Sequence, residues 1–405
     1  MKMKRKVFDK QMAKIPTEVK WCKKCVISNQ RPRIIFDESN VCSACVNRKN
    51  RIDIDWKARG AQLDVLLKQH RKDTGEWDVV VPSSGGKDSC FVAHRLKTEH
   101  GMNPLLVTWS PLKYTDIGVT NFDALCDSGF TAIRCTPDGQ IHRVLARLCF
   151  EEFGDAFHVF VLGQIYFPIH MALKFGIALV FYGENGEVEY AGDPIFADQP
   201  YRDLLNDEAW LKGYMKGTTI DELIAYGIET KDYMKGMDFS KFDLSFYRPP
   251  KVDDMIEKKT SKQHFYGYYQ HWNPQENFYY AAENTGFKPN PERTEGTYSK
   301  YASIDDKMDG FHYYMRYIKF GLGRCMEDAA HEIRDGHITR DEGIALMERF
   351  EGEFPKKYFQ EFLTYLGITE DHFWSVVDDW RPEHLWRKDG NDWVLRHPVT
   401  ETKGT

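Results

Sequence analysis

No run in this sequence approaches the about eighteen apolar residues that a membrane-spanning helix needs. The opening stretch, MKMKRKVFDKQMAK, is basic but has no apolar core behind it, so it does not read as a secretory signal. Strong charge of either sign is missing too. A net charge of −6 over 405 residues gives no general footprint for nucleic acid or membrane. The nine cysteines are not spaced as a secreted disulfide framework. There is no G-x-x-x-x-G-K-[ST] phosphate loop, no Cys/His dyad, no N-terminal cysteine nucleophile and no triad elbow. These absences leave a soluble cytoplasmic protein as the expectation, with two or three folding units for this length.

What is present begins with cysteine. Cys22, Cys25, Cys42 and Cys45 form C-x2-C-x16-C-x2-C. A two-residue gap lets both thiolates of a pair face one point, and two such pairs complete a tetrahedral zinc site with no open position. The expectation is structural Zn2+ in a small ribbon, with a short hairpin supplied by RPRIIFDESNVCSAC. The nearby basic residues, Arg31, Arg33, Arg48 and Arg51 among them, read as a solvated face or a contact for an acidic partner. Trp56, Leu63, Leu66 and Leu67 fit a helix joining ribbon to core.

Residues 79–94, VVVPSSGGKDSCFVAH, pass from a buried strand through serines and glycines into a helix. Glycines allow close backbone approach to a ligand, and the first amides of a helix attract phosphate. Further apolar strands are expected in NPLLVTWSP, GFTAIRCTP and GIALVFYGEN, with helical patterns between them. Alternation of this kind predicts an α/β fold, a doubly wound parallel sheet. Ligands of such sheets sit at the carboxyl ends of the strands. The positions to watch are therefore Ser83 to Lys87, Thr108 to Ser110, Thr136 to Asp138 and Gly183 to Glu187.

Two polar clusters stand out beyond the loop. YGENGEVEYAG carries Glu184, Asn185, Glu187 and Glu189 at the end of the fourth strand, where they could bind magnesium or orient a substrate. EGTYSKYASIDDKMDGFHYYMRYIKFGLGR places Asp305, Asp306, Lys307, Asp309, Lys319 and Arg324 among aromatic residues, where charges must be paired or liganded. One long helix is expected over about 305–335, stopping at Gly336, with a capping box at Thr339 and Glu342. Ion pairs inside the helical core are the competing reading of these charges.

The loop S-G-G-K-D-S resembles the pyrophosphate loop of the adenine nucleotide alpha hydrolase (PP-loop ATP pyrophosphatase) superfamily. With CKKC…CSAC, YGENGEVEYAG and the EGTYSKY…GLGR stretch, the chain from about residue 20 to 355 resembles the N-acetyl sugar amidotransferases of WbpG/PseA type. The resemblance implies three parts: a zinc ribbon at 1–55, a PP-loop core with an insertion at 56–290, and a helical substrate-side region and tail at 291–405. It implies ATP and Mg2+, with pyrophosphate cradled by Ser83, Ser84, Gly85, Gly86, Lys87, Asp88 and Ser89. Adenine would lie near Thr108 and Trp109, with Gly183 alongside. Lys87, Asp88, Glu184 and Asp306 are the expected catalytic residues. Glu184, Asn185, Glu187, Tyr298, Asp305, Asp306, Lys307 and Lys319 are the expected contacts to the sugar.

The implied activity, in bacterial surface-glycan biosynthesis, converts an acetamido group of a nucleotide-linked or nonulosonic-type sugar into an acetamidino group. The route runs through an O-adenylyl imidate, with ammonia from a separate glutaminase subunit paired with a cyclase-like channel subunit. Two other readings stay open. One is a zinc-containing tRNA-modifying PP-loop enzyme, a thiolase or lysidine-type ligase. The other is a nucleotide-binding scaffold that tethers a glutaminase.

Overall fold

The computed structural model describes residues 8–193, 195, 198–206 and 216–404, so most of the basic opening stretch lies outside them. Four strands rise from the expected segments: β1 (Val79–Pro82), β2 (Pro104–Trp109), β3 (Thr131–Cys135) and β4 (Val180–Tyr182). All four run parallel, and β1 is central, bonded to β2 on one side and β4 on the other. β5 (Tyr201–Asp203) and β6 (Lys262–Phe265) complete a six-stranded sheet in the order β3-β2-β1-β4-β6-β5, with β6 parallel to β4 and β5 antiparallel at the edge. The result is a mixed α/β fold with a mostly parallel sheet.

Both faces of the sheet are covered. Helix α1 (Ser43–Asn50) leaves the cysteine segment, and α2 (Trp56–His70) buries Leu63 and Leu67 as the sequence predicts. On one face, α2, α3 (Lys87–Thr98) and α4 (Asp116–Asp127) pack with Val79, Val81 and Leu106. On the other, Val80, Leu105 and Val107 meet α5 (Gly139–Phe153) and α6 (His158–Phe175). That second core continues without a break into C-terminal aromatic residues such as Phe311, Phe362 and Phe373. Among the described residues, no helix is long and apolar enough to cross a membrane.

The expected single helix over 305–335 is two helices, Asp309–Phe320 and Arg324–Asp335. The break is Gly321-Leu322-Gly323. Gly321 adopts φ 67°, a left-handed conformation that ends a helix, and the Glu351 carboxylate accepts from the amides of Gly323 and Met326 to restart the chain as a second helix. Asp305 to Lys307 therefore sit in the loop before the first of these helices, where Tyr114 pairs with Asp306 in an isolated bridge. Gly336 and the Thr339–Glu342 capping box fall where the sequence puts them. The ribbon hairpin reduces to single bridges, Trp21 with Ser28 and Phe36 with Cys42, because the second knuckle runs straight into α1.

Candidate functional site

The four ribbon cysteines bring their sulfurs within 4.8 Å of one another. Cys22 and Cys45 are 3.9 Å apart, and Cys25 and Cys42 are 3.7 Å apart. A tetrahedral zinc with Zn–S bonds of 2.3 Å requires sulfurs about 3.8 Å apart, so the donor set fits that ion. Amides of Lys24 and Cys42 donate to the Cys22 sulfur at 3.3 Å, as thiolate knuckles need. Arg340, from the helix Arg340–Phe350, donates to the carbonyls of Cys22 and Cys25, which ties the ribbon to the C-terminal helices.

At the carboxyl end of β1 the chain turns through Ser83 to Gly86 into α3. Gly85 has φ 85°, and a Cβ there would lie 2.6 Å from the backbone nitrogen of Phe122. The turn is pinned from within: the Ser83 hydroxyl bonds Ser89 at 2.8 Å and accepts from the Gly85 amide at 3.3 Å. α4 and α5 begin with side-chain caps from Thr115 and Asp138, but α3 begins at Gly86 without one. The first N–H groups of α3 therefore have no capping partner, and such groups at a helix start suit an anion.

Two cavities meet at this turn. The first, about 260 Å³, lies over the strand ends and is lined by Ser83, Ser84, Gly86, Asp88, Thr108 and Gly183, among others. The second, about 590 Å³, extends towards the C-terminal helices. Ser84, Phe160, Gln164, Tyr182 and Glu184 border both. Trp109 also reaches the first cavity, but its ring packs against Gly163, where a Cβ would come within 2.1 Å of it. Lys87 sits behind the loop. Its ammonium pairs with Asp88 and borders a small void with Tyr301, Arg324 and His331. Asp88 also accepts from Asn277 at 3.0 Å.

Glu184 and Asp88 share the first cavity. Burial, and next the Asp88 carboxylate, push the Glu184 carboxyl up to about 7. Two carboxylates facing one cavity are oxygen donors of the kind a divalent cation takes. A carboxyl raised in the folded state stabilises the protein below its unfolded pKa, and that contribution is lost as pH rises through about 7. The melting temperature is thus expected to fall between pH 5 and 8, and to fall less in Glu184→Gln. Glu351, pushed up to about 7 by burial, titrates in the same window and keeps part of the slope. Equal slopes in the two proteins, read by calorimetry without nucleotide, would place Glu184 in solvent.

The remaining expected residues divide. Asp305 lines the second cavity and bonds Ser84. Asp306 also borders it, but both its oxygens are taken by backbone amides: Leu112 at 2.6 Å, Met308 at 2.8 Å and Lys113 at 3.2 Å. Asn185 caps the short turn of helix at Gly186–Glu189. Glu187 is buried against Arg33 at 2.8 Å, and Glu189 pairs with Arg51.

Lys307 turns away from the cavity to Glu361 at 3.1 Å, and Tyr298 packs beside Phe350 in the ribbon-side core. Lys319 reaches the cavity floor, yet its side chain is 3% exposed and its ammonium bonds Asp9 at 2.8 Å. Lys319→Met strands that buried carboxylate and is expected to lower stability by about 3–5 kcal/mol. Denaturant unfolding measures this, and an unchanged midpoint would show the pair to be dispensable.

Several cavity residues escaped the sequence reading. Arg31 and Arg33, read there as surface charge, point inward, and His312 and Arg316 join them on the cavity wall. A signal existed: Asp309, His312, Arg316 and Lys319 recur at helical spacing, so they share one face of the Asp309–Phe320 helix opposite Phe311, Met315 and Ile318.

This wall belongs to a recognisable segment. Residues 295–399 match a family model described as LPS biosynthesis protein WbpG-like, C-terminal domain. The match covers about a quarter of the chain, and no curated protein matches it. The WbpG-like domain contributes Ser303, Asp305, Asp309, His312 and Arg316 to the second cavity, while the sheet and its loop contribute the first.

Proposed function

We propose that the chain is an ATP-dependent amidotransferase of lipopolysaccharide or related glycan biosynthesis, converting an acetamido sugar into its acetamidino form. The observation that carries the reading is the meeting of two cavities at Ser84 and Glu184. One is bounded by a glycine turn and an uncapped helix start, the other by the WbpG-like domain. In this reading ATP occupies the first, and the sugar presents its amide oxygen from the second.

The chemistry follows from the leaving group. An amide oxygen departs poorly, so it first attacks the α phosphorus of ATP: an O–P bond forms and pyrophosphate leaves. Ammonia then adds to the imidate carbon, and the C–O bond breaks to release AMP. One proton is lost overall, and Glu184, titrating near neutrality, is suited to take it. The loop amides stabilise charge that grows on the departing pyrophosphate, and Lys87, paired with Asp88 behind the loop, adds positive charge at the helix start. Mg2+ held by Asp88 would supply further charge neutralisation, which leaves Glu184 to take the proton. Ammonia comes from a partner glutaminase through a channel-forming subunit.

The test is mass spectrometry of acetamido sugars incubated with ATP, magnesium and ammonium. A product lighter by about one mass unit, formed with AMP and pyrophosphate, is expected. Formation of ADP and phosphate would defeat the reading.

One observation favours a second reading. A groove of about 910 Å³ beside the ribbon is lined by Lys24, Arg48, Lys49, Arg51, Trp56 and Arg334, a basic and aromatic surface of the kind that binds nucleic acid. A tRNA-modifying enzyme would bind tRNA with a steep salt dependence. A flat dependence would remove this alternative.

A further inference from the structure

The second cavity is electrically divided. Glu184, Asp305 and Asp309 cluster on the side that holds Ser84. Farther along the Asp309–Phe320 helix, past His312, the wall turns cationic at Arg316, where Arg31 and Arg33 of the ribbon join it.

Arg31 and Arg316 share one carboxylate, Glu327, at 3.1 and 2.7 Å. Arg33 takes Glu187, with further bonding to Gln11. Two guanidinium groups, Arg31 and Arg316, thus meet a single carboxylate. The next cation, Arg324, is matched by its own Asp328. His312 is anchored by Asp155, which also pairs with Lys216. Among the described residues, neither Arg31 Nε nor Arg316 Nη2 has a hydrogen-bond partner, although both atoms are buried.

Clustered buried guanidinium groups repel one another, and their unmet donors are costly. Burial and the neighbouring Arg316 lower the pKa of Arg31, which registers the same crowding. Arg33 is also held at φ 67°, a left-handed conformation unusual for a residue with a side chain.

We infer that Arg31 and Arg316, with Arg33 beside them on the cavity wall, form a subsite for an anionic group on the sugar substrate, a carboxylate or a phosphate. A planar guanidinium fork matches both groups. The subsite lies at the end of the cavity away from the acidic residues beside Ser84, so an acetamido group and an anionic group would bind at opposite ends of one molecule. It also gives the cysteine ribbon a role in recognition, because two of the three arginines lie between its knuckles. The inference rests on the proposed function for the identity of the ligand, but not for the existence of the anion site.

Calorimetric titration of the full chain, with zinc and magnesium α,β-methylene-ATP present, tests it. Three probes are used: N-acetylneuraminic acid, which has a carboxylate; UDP-N-acetylglucosamine, which has a diphosphate; and N-acetylglucosamine, which has neither. At least one anionic probe is expected to bind and the neutral sugar is not, and the tighter anion names the source. Arg316→Lys and Arg31→Lys each keep a cation opposite Glu327. They are expected to hold the melting temperature and weaken binding roughly ten- to hundredfold through loss of the fork. Lys241→Ala, exposed and outside the cavity, is expected to change nothing.

Equal binding of the neutral sugar, no binding by either anion, or unchanged affinity in both arginine variants overturns the inference. So does a fall in melting temperature in both, which would assign the arginines to the fold. Binding requires no ATP cleavage, so a protein that binds the anion but forms no amidine overturns the proposed function alone.

Discussion

Replacing Asp88 with Asn, or Lys87 with Ala, is expected to reduce AMP and pyrophosphate formation about a hundredfold or more, on the scale of losing a preorganised charge-stabilising group. The two side chains form one unit. Lys87 and Asp88 pair directly in the first turn of α3, and Asn277 fixes the other oxygen of Asp88. Asp88→Asn keeps the shape and removes the negative charge that would hold magnesium. Lys87→Ala removes the cation at the helix start and leaves Asp88 tied only to Asn277. The melting temperature should change little in Asp88→Asn, because Asp88 is only half-buried. Steady-state rates with both products quantified make the check, and wild-type rates in both variants would move the chemistry away from this loop.

The second large effect concerns the ribbon. Cys42→Ser is expected to abolish stoichiometric zinc and to unfold the segment around residues 20–50. Without the ion, the thiolates that must share one point repel one another, and metal binding is the folding free energy of such small units. The consequence should reach the cavity, since Arg31 and Arg33 lie between the knuckles and pair with Glu327 and Glu187. Sugar binding should fall with the metal, while ATP binding at the sheet survives in part. Elemental analysis and nucleotide titration on the same preparation read both effects. Full zinc content in Cys42→Ser would show that the four thiols do not act as a set.

How much of this was legible depended on distance along the chain. The loop, the four cysteines, β1 to β4 and the Thr339 cap are local signals, and the structure has them where the sequence puts them. β5 and β6 carried no such signal: each is three or four residues long, and they pair across some sixty intervening positions. The helix break at Gly321 and Gly323 was written in glycine but overridden by the apolar periodicity on either side. Charges were the hardest to place. Lys319 finds Asp9, Lys307 finds Glu361, and Arg31 finds Glu327, partners that only the tertiary fold brings together. A lysine in an aromatic stretch announces that it must be paired, but not with what.

The proposed reaction turns on one bond, formed between the amide oxygen of the sugar and the α phosphorus of ATP, which carries that oxygen into AMP. Labelling the acetamido oxygen with ¹⁸O and following it through a complete reaction tests this most directly. The mechanism predicts that each amidine formed leaves one ¹⁸O in AMP and none in pyrophosphate. Amidine formed with unlabelled AMP, or with the label in inorganic phosphate, would contradict adenylyl transfer at the Ser84 loop.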